Sequence, residues 1–153
     1  MRIFDELEAQ YYDIDDRYSL VEFEAANKSW SKKEQKLKRM RELNDQAYFL
    51  FMFSRLEDRI RQESSSLIIK KKGVISSWKQ RAAWDILPSG TDGQPTFKNR
   101  LALLTDKSAN DYRIVCAYYN ERNSIAHGGS FTSSISMPIV VPEFKRLYRL
   151  LKA

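Results

Sequence analysis

The segment Glu121-Arg122-Asn123-Ser124-Ile125-Ala126-His127-Gly128-Gly129 contains the only histidine of the 153-residue chain. An unperturbed imidazole titrates near neutrality, so His127 can take a proton from a hydroxyl or return one to a departing oxygen. Arg122 stays charged and offers a planar fork of donors to anionic oxygens. Asn123, one turn below His127, can hold a ring nitrogen and fix the tautomer, or contact an anion itself. Proton transfer and stabilisation of a developing negative charge are the chemistry these three side chains offer. The competing reading is structural. Cations in a last helical turn are favoured by the macrodipole, and glycine is an ordinary stop signal, so Arg122 and His127 also serve as caps.

The element that must position them is a helix beginning near Asp111 and ending at the glycine pair. Its apolar stripe runs Tyr112, Val115, Cys116 and Tyr119, and the same spacing next calls for apolar residues at 122, 123 and 126. Arg122 and Asn123 interrupt that stripe. Burying them unpaired would cost several kcal/mol.

Arg122-Asn123, three further residues and His127 before glycine resemble the Arg-x4-6-His signature of the HEPN superfamily. These are small α-helical domains, many of them metal-independent ribonucleases of toxin–antitoxin, phage-defence and CRISPR-associated systems. The Arg-Asn opening is the signature's commonest form, and the motif here closes a late helix of a chain of the right size. Tyr48-Phe49-Leu50-Phe51-Met52-Phe53-Ser54-Arg55-Leu56-Glu57 is similar to the long second helix of such domains, an aromatic core run followed by an acid.

The resemblance implies an endoribonuclease that uses the 2′-hydroxyl of RNA as nucleophile, with His127 and Arg122 catalytic, Asn123 assisting and no cofactor or metal. It also implies a symmetric homodimer through the motif helix, which would bring two Arg-His pairs to one cleft. Glu57 is either a partner of Arg61 at i+4 or an acid that holds Arg122 or polarises His127. In some such toxins a partner enzyme adenylylates a tyrosine two residues after the histidine. Gly129 stands there, so this form of control is not expected, whereas inhibition by a bound antitoxin protein stays open. The alternative is a non-catalytic HEPN-like module that binds nucleic acid or a protein partner.

Composition predicts one helical domain spanning 1–153. The length suits a single core, charged residues make up 30% of the chain, and Gly and Pro are few. One Cys and one His exclude an intrachain disulfide and a zinc site of soft ligands, and Cys116 reads as a small buried hydrophobe. The start carries no signal-peptide pattern, and the longest apolar run, Ala47 to Phe53, is too short to span a bilayer, so a cytoplasmic protein without membrane contact is expected.

The net charge of +6 is uneven. Residues 1–24 carry eight acids against Arg2 and Arg17, a net −6, which leaves +12 for the rest. Lys36, Arg39 and the run Lys70, Lys71, Lys72 are candidate RNA contacts, since basic surfaces attract phosphate without reading sequence. Solvated helix faces explain such runs equally well.

An all-α, up-down bundle of four to five main helices with an elaborated middle connection follows from the periodicity. Phe4, Leu7, Tyr11, Ile14, Tyr18, Val21 and Ala25 form one seam on a long first helix. Asp13, Asp15 and Asp16 lack the glycine and spacing of a calcium loop and read as a solvated acidic face. Ser31 and Glu34 suggest a capping box for a second helix from Lys32 to Gln62, apolar nearly all round at Phe49 to Phe53 and ended by Ser64-Ser65-Ser66. Leu67-Ile68-Ile69 and Val74-Ile75 bracket Lys70 to Gly73 as a short hairpin or a loop, and a loop is expected. Ser76 or Ser77 should cap a short helix with Trp78, Ala82 and Ile86 inward, ended by Pro88-Ser89-Gly90. Thr96 should cap another with Phe97, Leu101 and Leu104 inward and Lys98 and Arg100 pointing elsewhere. A crossover from Gly128 to Val141 leads to a final helix opened by Pro142.

Overall fold

The computed structural model describes residues 2–87 and 95–153 of an all-α helical bundle. Among these residues six helices occur: α1 (Arg2–Asn27), α2 (Ser31–Val74), α3 (Trp78–Asp85), α4 (Phe97–Leu104), α5 (Asn110–Ala126) and α6 (Met137–Leu150). Four are long, and the short α3 and α4 occupy the connection between α2 and α5. The expected stop at Pro88-Ser89-Gly90 lies outside the described residues. The chain divides into two compact units, one of residues 1–53 and 121–145, the other of 54–120 and 146–153.

In the first unit α1 follows its predicted seam, with Phe4, Tyr11 and Ala25 buried. The centre is aromatic. The Phe49 ring lies 6.2 Å from Phe53, 5.4 Å from Phe144 and 5.3 Å from Phe131, centroid to centroid. Each fully buried Phe contributes about 1.5–3 kcal/mol of transfer free energy, and Phe49, Phe53 and Phe144 are at 0% exposure. Phe51 is 61% exposed, so the apolar run is not buried all round. Four acids of the α1 face are answered within the unit. Arg41 forks onto Asp15 at 2.9 and 3.1 Å and reaches Glu22 at 3.0 Å. Lys145 contacts Asp5 at 2.6 Å and Glu8 at 2.5 Å.

α1 is closed just beyond its last residue by Ser29, whose φ of 55° is left-handed. The Trp30 N–H donates to Ala25 O and the Ser29 N–H to Ala26 O, the paired bonds of a Schellman closure. The predicted capping box at the start of α2 does not form. Ser31 is already the first helical residue, and the Glu34 carboxylate accepts from Lys38 instead.

In the second unit α2 continues well past the predicted stop. Leu56, Ile60, Ser64 and Ile68 form a single buried stripe at i+4 spacing, so Ser64 sits on the inner face of a continuing helix rather than in a loop. Ser64 donates to Arg61 O, and both Ser64 Oγ and Ser65 Oγ accept from Arg100 Nη1 at 3.0 Å. Arg100, expected to point elsewhere, is 7% exposed, and burial lowers its pKa. With these two hydroxyls satisfied, Ser64 and Ser65 no longer compete for the backbone and the helix runs on through Lys70 to Lys72.

Thr96 caps α4 as predicted, accepting from Asn99 N, and Phe97 stacks on Tyr119 at 4.2 Å. α3 departs from expectation. It has no buried residue, Trp78 and Ile86 are 66% and 80% exposed, and Ser77 takes the cap position without a side-chain bond. Cys116 is half-buried rather than buried. α6 starts five residues before Pro142. Met137, Val140, Val141, Phe144 and Leu147 are buried at helical spacing, and this burial offsets the one backbone bond that Pro142 removes near the helix start. No helix of the described residues is long and apolar enough to cross a membrane.

Candidate functional site

α5 places the motif in its last turn. The Gly129 N–H donates to Ser124 O at 2.9 Å and the Gly128 N–H to Ile125 O at 3.0 Å, so the helix closes by a Schellman motif with His127 at the cap position. The two glycines are needed for different reasons. Gly128 adopts φ 82°, the left-handed conformation that side chains resist. A Cβ on Gly129 would stand 2.8 Å from Ser124 O and 2.9 Å from Ser124 Oγ. That hydroxyl donates to Ser130 O at 2.8 Å and ties the crossover back to the helix end.

His127 is exposed, while Arg122 and Asn123 are half-buried. Arg122 Nη1 donates to Asn123 Oδ1 at 3.0 Å. Asn123 therefore uses its side-chain oxygen to hold the guanidinium and not, as the sequence suggested, a nitrogen of His127. Its main-chain oxygen accepts the His127 N–H at 3.1 Å. At about 100° per residue Asn123 and His127 lie about 40° apart around the helix, so the bond to Asn123 draws the arginine toward the histidine's side.

Glu121 opens the motif and received no role from its sequence position. Its side chain is 5% exposed and accepts from Thr132 N at 2.7 Å, Thr132 Oγ1 at 2.7 Å and Ser133 Oγ at 2.6 Å. Burial pushes its pKa up, but the hydrogen bonds from Ser133 and Thr132 outweigh it and hold the carboxyl below its ordinary value. The crossover is thus fastened to the last turns of α5 at two points, Glu121 and Ser124. The Ser/Thr richness of residues 130–136 was the available signal.

Of the other predicted residues, Glu57 lies on α2 in the second unit, where Arg61 Nη2 stands 3.9 Å from its carboxylate. Lys70 and Lys71 are exposed there, and Lys72 Nζ donates to Leu87 O. Lys36 and Arg39 lie exposed on the first-unit part of α2, Arg39 paired with Glu42 at 2.8 Å.

Arg39 also borders a cleft of about 330 Å³, where Glu42, Asp45 and Gln46 of α2 face Ser130 and Phe131 of the crossover. Sequence reasoning missed it. Gln46 falls on the stripe of Phe49 and Phe53 at i+3 and i+7, and a polar residue on a core stripe was the sign that could have revealed it. Among the described residues no three His, Cys, Asp or Glu side chains cluster as metal ligands would. No family model matches the chain, nor does any curated protein or solved structure.

Proposed function

We propose that this protein is a metal-independent endoribonuclease of HEPN type, a toxin or anti-phage effector acting as a homodimer through α5. The observation that carries the reading is the end of α5: an exposed imidazole at the cap of a helix whose preceding turn holds a guanidinium fixed by Asn123 at 3.0 Å. In such a site His127 accepts the proton of the 2′-hydroxyl, and the 2′-oxygen attacks phosphorus. The bond to the 5′-oxygen breaks, and that oxygen takes a proton from His127 of the second copy. The products are a 2′,3′-cyclic phosphate and a 5′-hydroxyl. Proton transfer of this kind is worth about 10²–10⁴-fold. Arg122 stabilises the charge gathering on the non-bridging oxygens, an electrostatic contribution of about 10²–10³-fold. One imidazole per chain cannot hold both proton roles at once, and pairing about a two-fold axis supplies the second.

The Schellman closure favours a second reading, in which His127 is only a cation at a helix C-terminus and the protein binds nucleic acid or a protein partner without cutting. Incubating single-stranded RNA with purified protein and excess chelator, beside His127→Ala and Arg122→Ala, separates the two. Cleavage by the parent lost in both variants supports the enzyme. Binding without cleavage in the parent supports the module.

A further inference from the structure

The cleft beside the crossover has a feature of a site built to receive a ligand. Gln46 is 7% exposed and lines the cleft, and its side-chain amide makes no hydrogen bond to another described residue while its polar atoms keep some access to solvent. An amide that opens into a cleft without a protein partner is available, as donor and acceptor, to a ligand. Beside it Asp45 accepts the Tyr11 hydroxyl at 2.8 Å on Oδ1, and its Oδ2 accepts no hydrogen bond from the described residues. Phe131, in T-shaped contact with Phe49, supplies an aromatic surface to the cleft, and Ile135 adds apolar lining. Arg39 stands at the rim with its charge.

We propose that this cleft is a guanine subsite, in which Asp45 receives the two adjacent donors of the base, Gln46 donates to its 6-oxygen and Phe131 stacks on its face. The choice of base follows from donor and acceptor order. An ionised carboxylate only accepts. Guanine alone places two donors, N1–H and the 2-amino group, side by side next to a carbonyl. Adenine and cytosine set a ring-nitrogen acceptor next to their amino group and would confront one carboxylate oxygen with a lone pair. Uracil offers a single donor between two acceptors. The volume of about 330 Å³ accepts a base with room to spare.

The subsite rests on the ribonuclease reading for its source of guanine, an unstacked base of the substrate. Ser130, on the cleft wall, is three residues from His127, at most about 11 Å of extended chain, and its carbonyl is bonded to Ser124 of the last α5 turn. A base held there would set the neighbouring phosphodiester against the motif. Free guanine nucleotide presents the same edge and is the other source the experiment separates.

The test uses the intact protein with two probes: GMP compared with AMP, CMP and UMP by calorimetry, and single-stranded RNA of A and U carrying one G, with cut sites mapped. GMP is expected to bind at least about 10-fold tighter than the other three, and cleavage to concentrate at the bond next to G. Asp45→Asn replaces an acceptor by a donor while leaving Oδ1 for Tyr11, and should abolish the preference. Gln46→Leu should weaken GMP at least about 10-fold and leave the weak binding of UMP unchanged. Equal binding of all four nucleotides by the parent protein overturns the proposal whatever the variants do. Cleavage without base preference also overturns it and leaves the ribonuclease intact. GMP selectivity with uncut RNA keeps the guanine cleft, assigns it to free nucleotide and removes the ribonuclease reading instead.

Discussion

Glu121 is the fastening most open to quantitative test. Its carboxylate takes three short bonds from Thr132 and Ser133 and is nearly inaccessible. Hydrogen bonds to a charged group contribute about 1.5–3 kcal/mol each, yet Thr132 and Ser133 are themselves exposed and rehydrate when released. The loss in Glu121→Ala is therefore nearer about 2–3 kcal/mol than the sum of three bonds, including the small cavity left behind. Glu121→Gln keeps one oxygen for the Thr132 N–H, and both hydroxyls can turn to accept from its amide, so only the charge is lost, about 1 kcal/mol. At about 2–4 °C per kcal/mol for a chain of this size, melting should fall by roughly 4–12 °C in the first variant and about a third of that in the second. Because the carboxyl of the folded protein is held below its ordinary 4.5, the unfolded chain takes up the proton first as pH falls. The contribution of Glu121 is present above that value and is lost as pH drops through the lower folded one. Glu121→Gln should flatten this acid limb of the stability curve. Thermal melts from pH 3 to 7, with amide exchange at Thr132, check both statements. A Glu121→Ala protein that melts within 2 °C of the parent, with unchanged exchange at Thr132, would refute the assignment.

Ser29→Gly should raise stability by about 1 kcal/mol in urea titration, since a left-handed residue bearing a side chain closes α1. Arg100→Ala should cost about 2–3 kcal/mol by releasing Ser64 and Ser65 from their buried donor, and circular dichroism should show helix lost as the C-terminal half of α2 frays. Tyr11→Phe should cost about 1–2 kcal/mol by chemical denaturation, because Asp45 then loses its donor. Burial already pushes that carboxyl up, with help from Asp15 and Glu42, so the variant should raise its pKa further in carboxyl-carbon NMR titration.

Local rules sufficed where a helix was decided by its own residues. The seam of α1, the Thr96 cap and the glycine stop of α5 depend on periodicity and terminal chemistry within a turn or two, and each is where the spacing placed it. They failed where a distant group changed the balance. Ser64 to Ser66 look like a terminus until Arg100, some 36 residues on, occupies the hydroxyls of Ser64 and Ser65. Pro142 looks like a helix start until the burial of Met137, Val140 and Val141 outweighs one missing bond. At the candidate site the residue types were legible and their partners were not. Asn123 holds Arg122 rather than His127, and Glu121 holds the crossover, because both bonds depend on rotamers and loop path that spacing does not encode.

We propose that His127 and Arg122 together break RNA by attack of its own 2′-hydroxyl. The most direct measurement of this is mass spectrometry of the ends formed when the protein meets a defined single-stranded RNA in excess chelator. The parent protein should leave 2′,3′-cyclic phosphate and 5′-hydroxyl ends, and folded His127→Ala should leave the RNA uncut. A 5′-phosphate product, undiminished cutting by His127→Ala, or an RNA left whole by folded dimeric parent would contradict it.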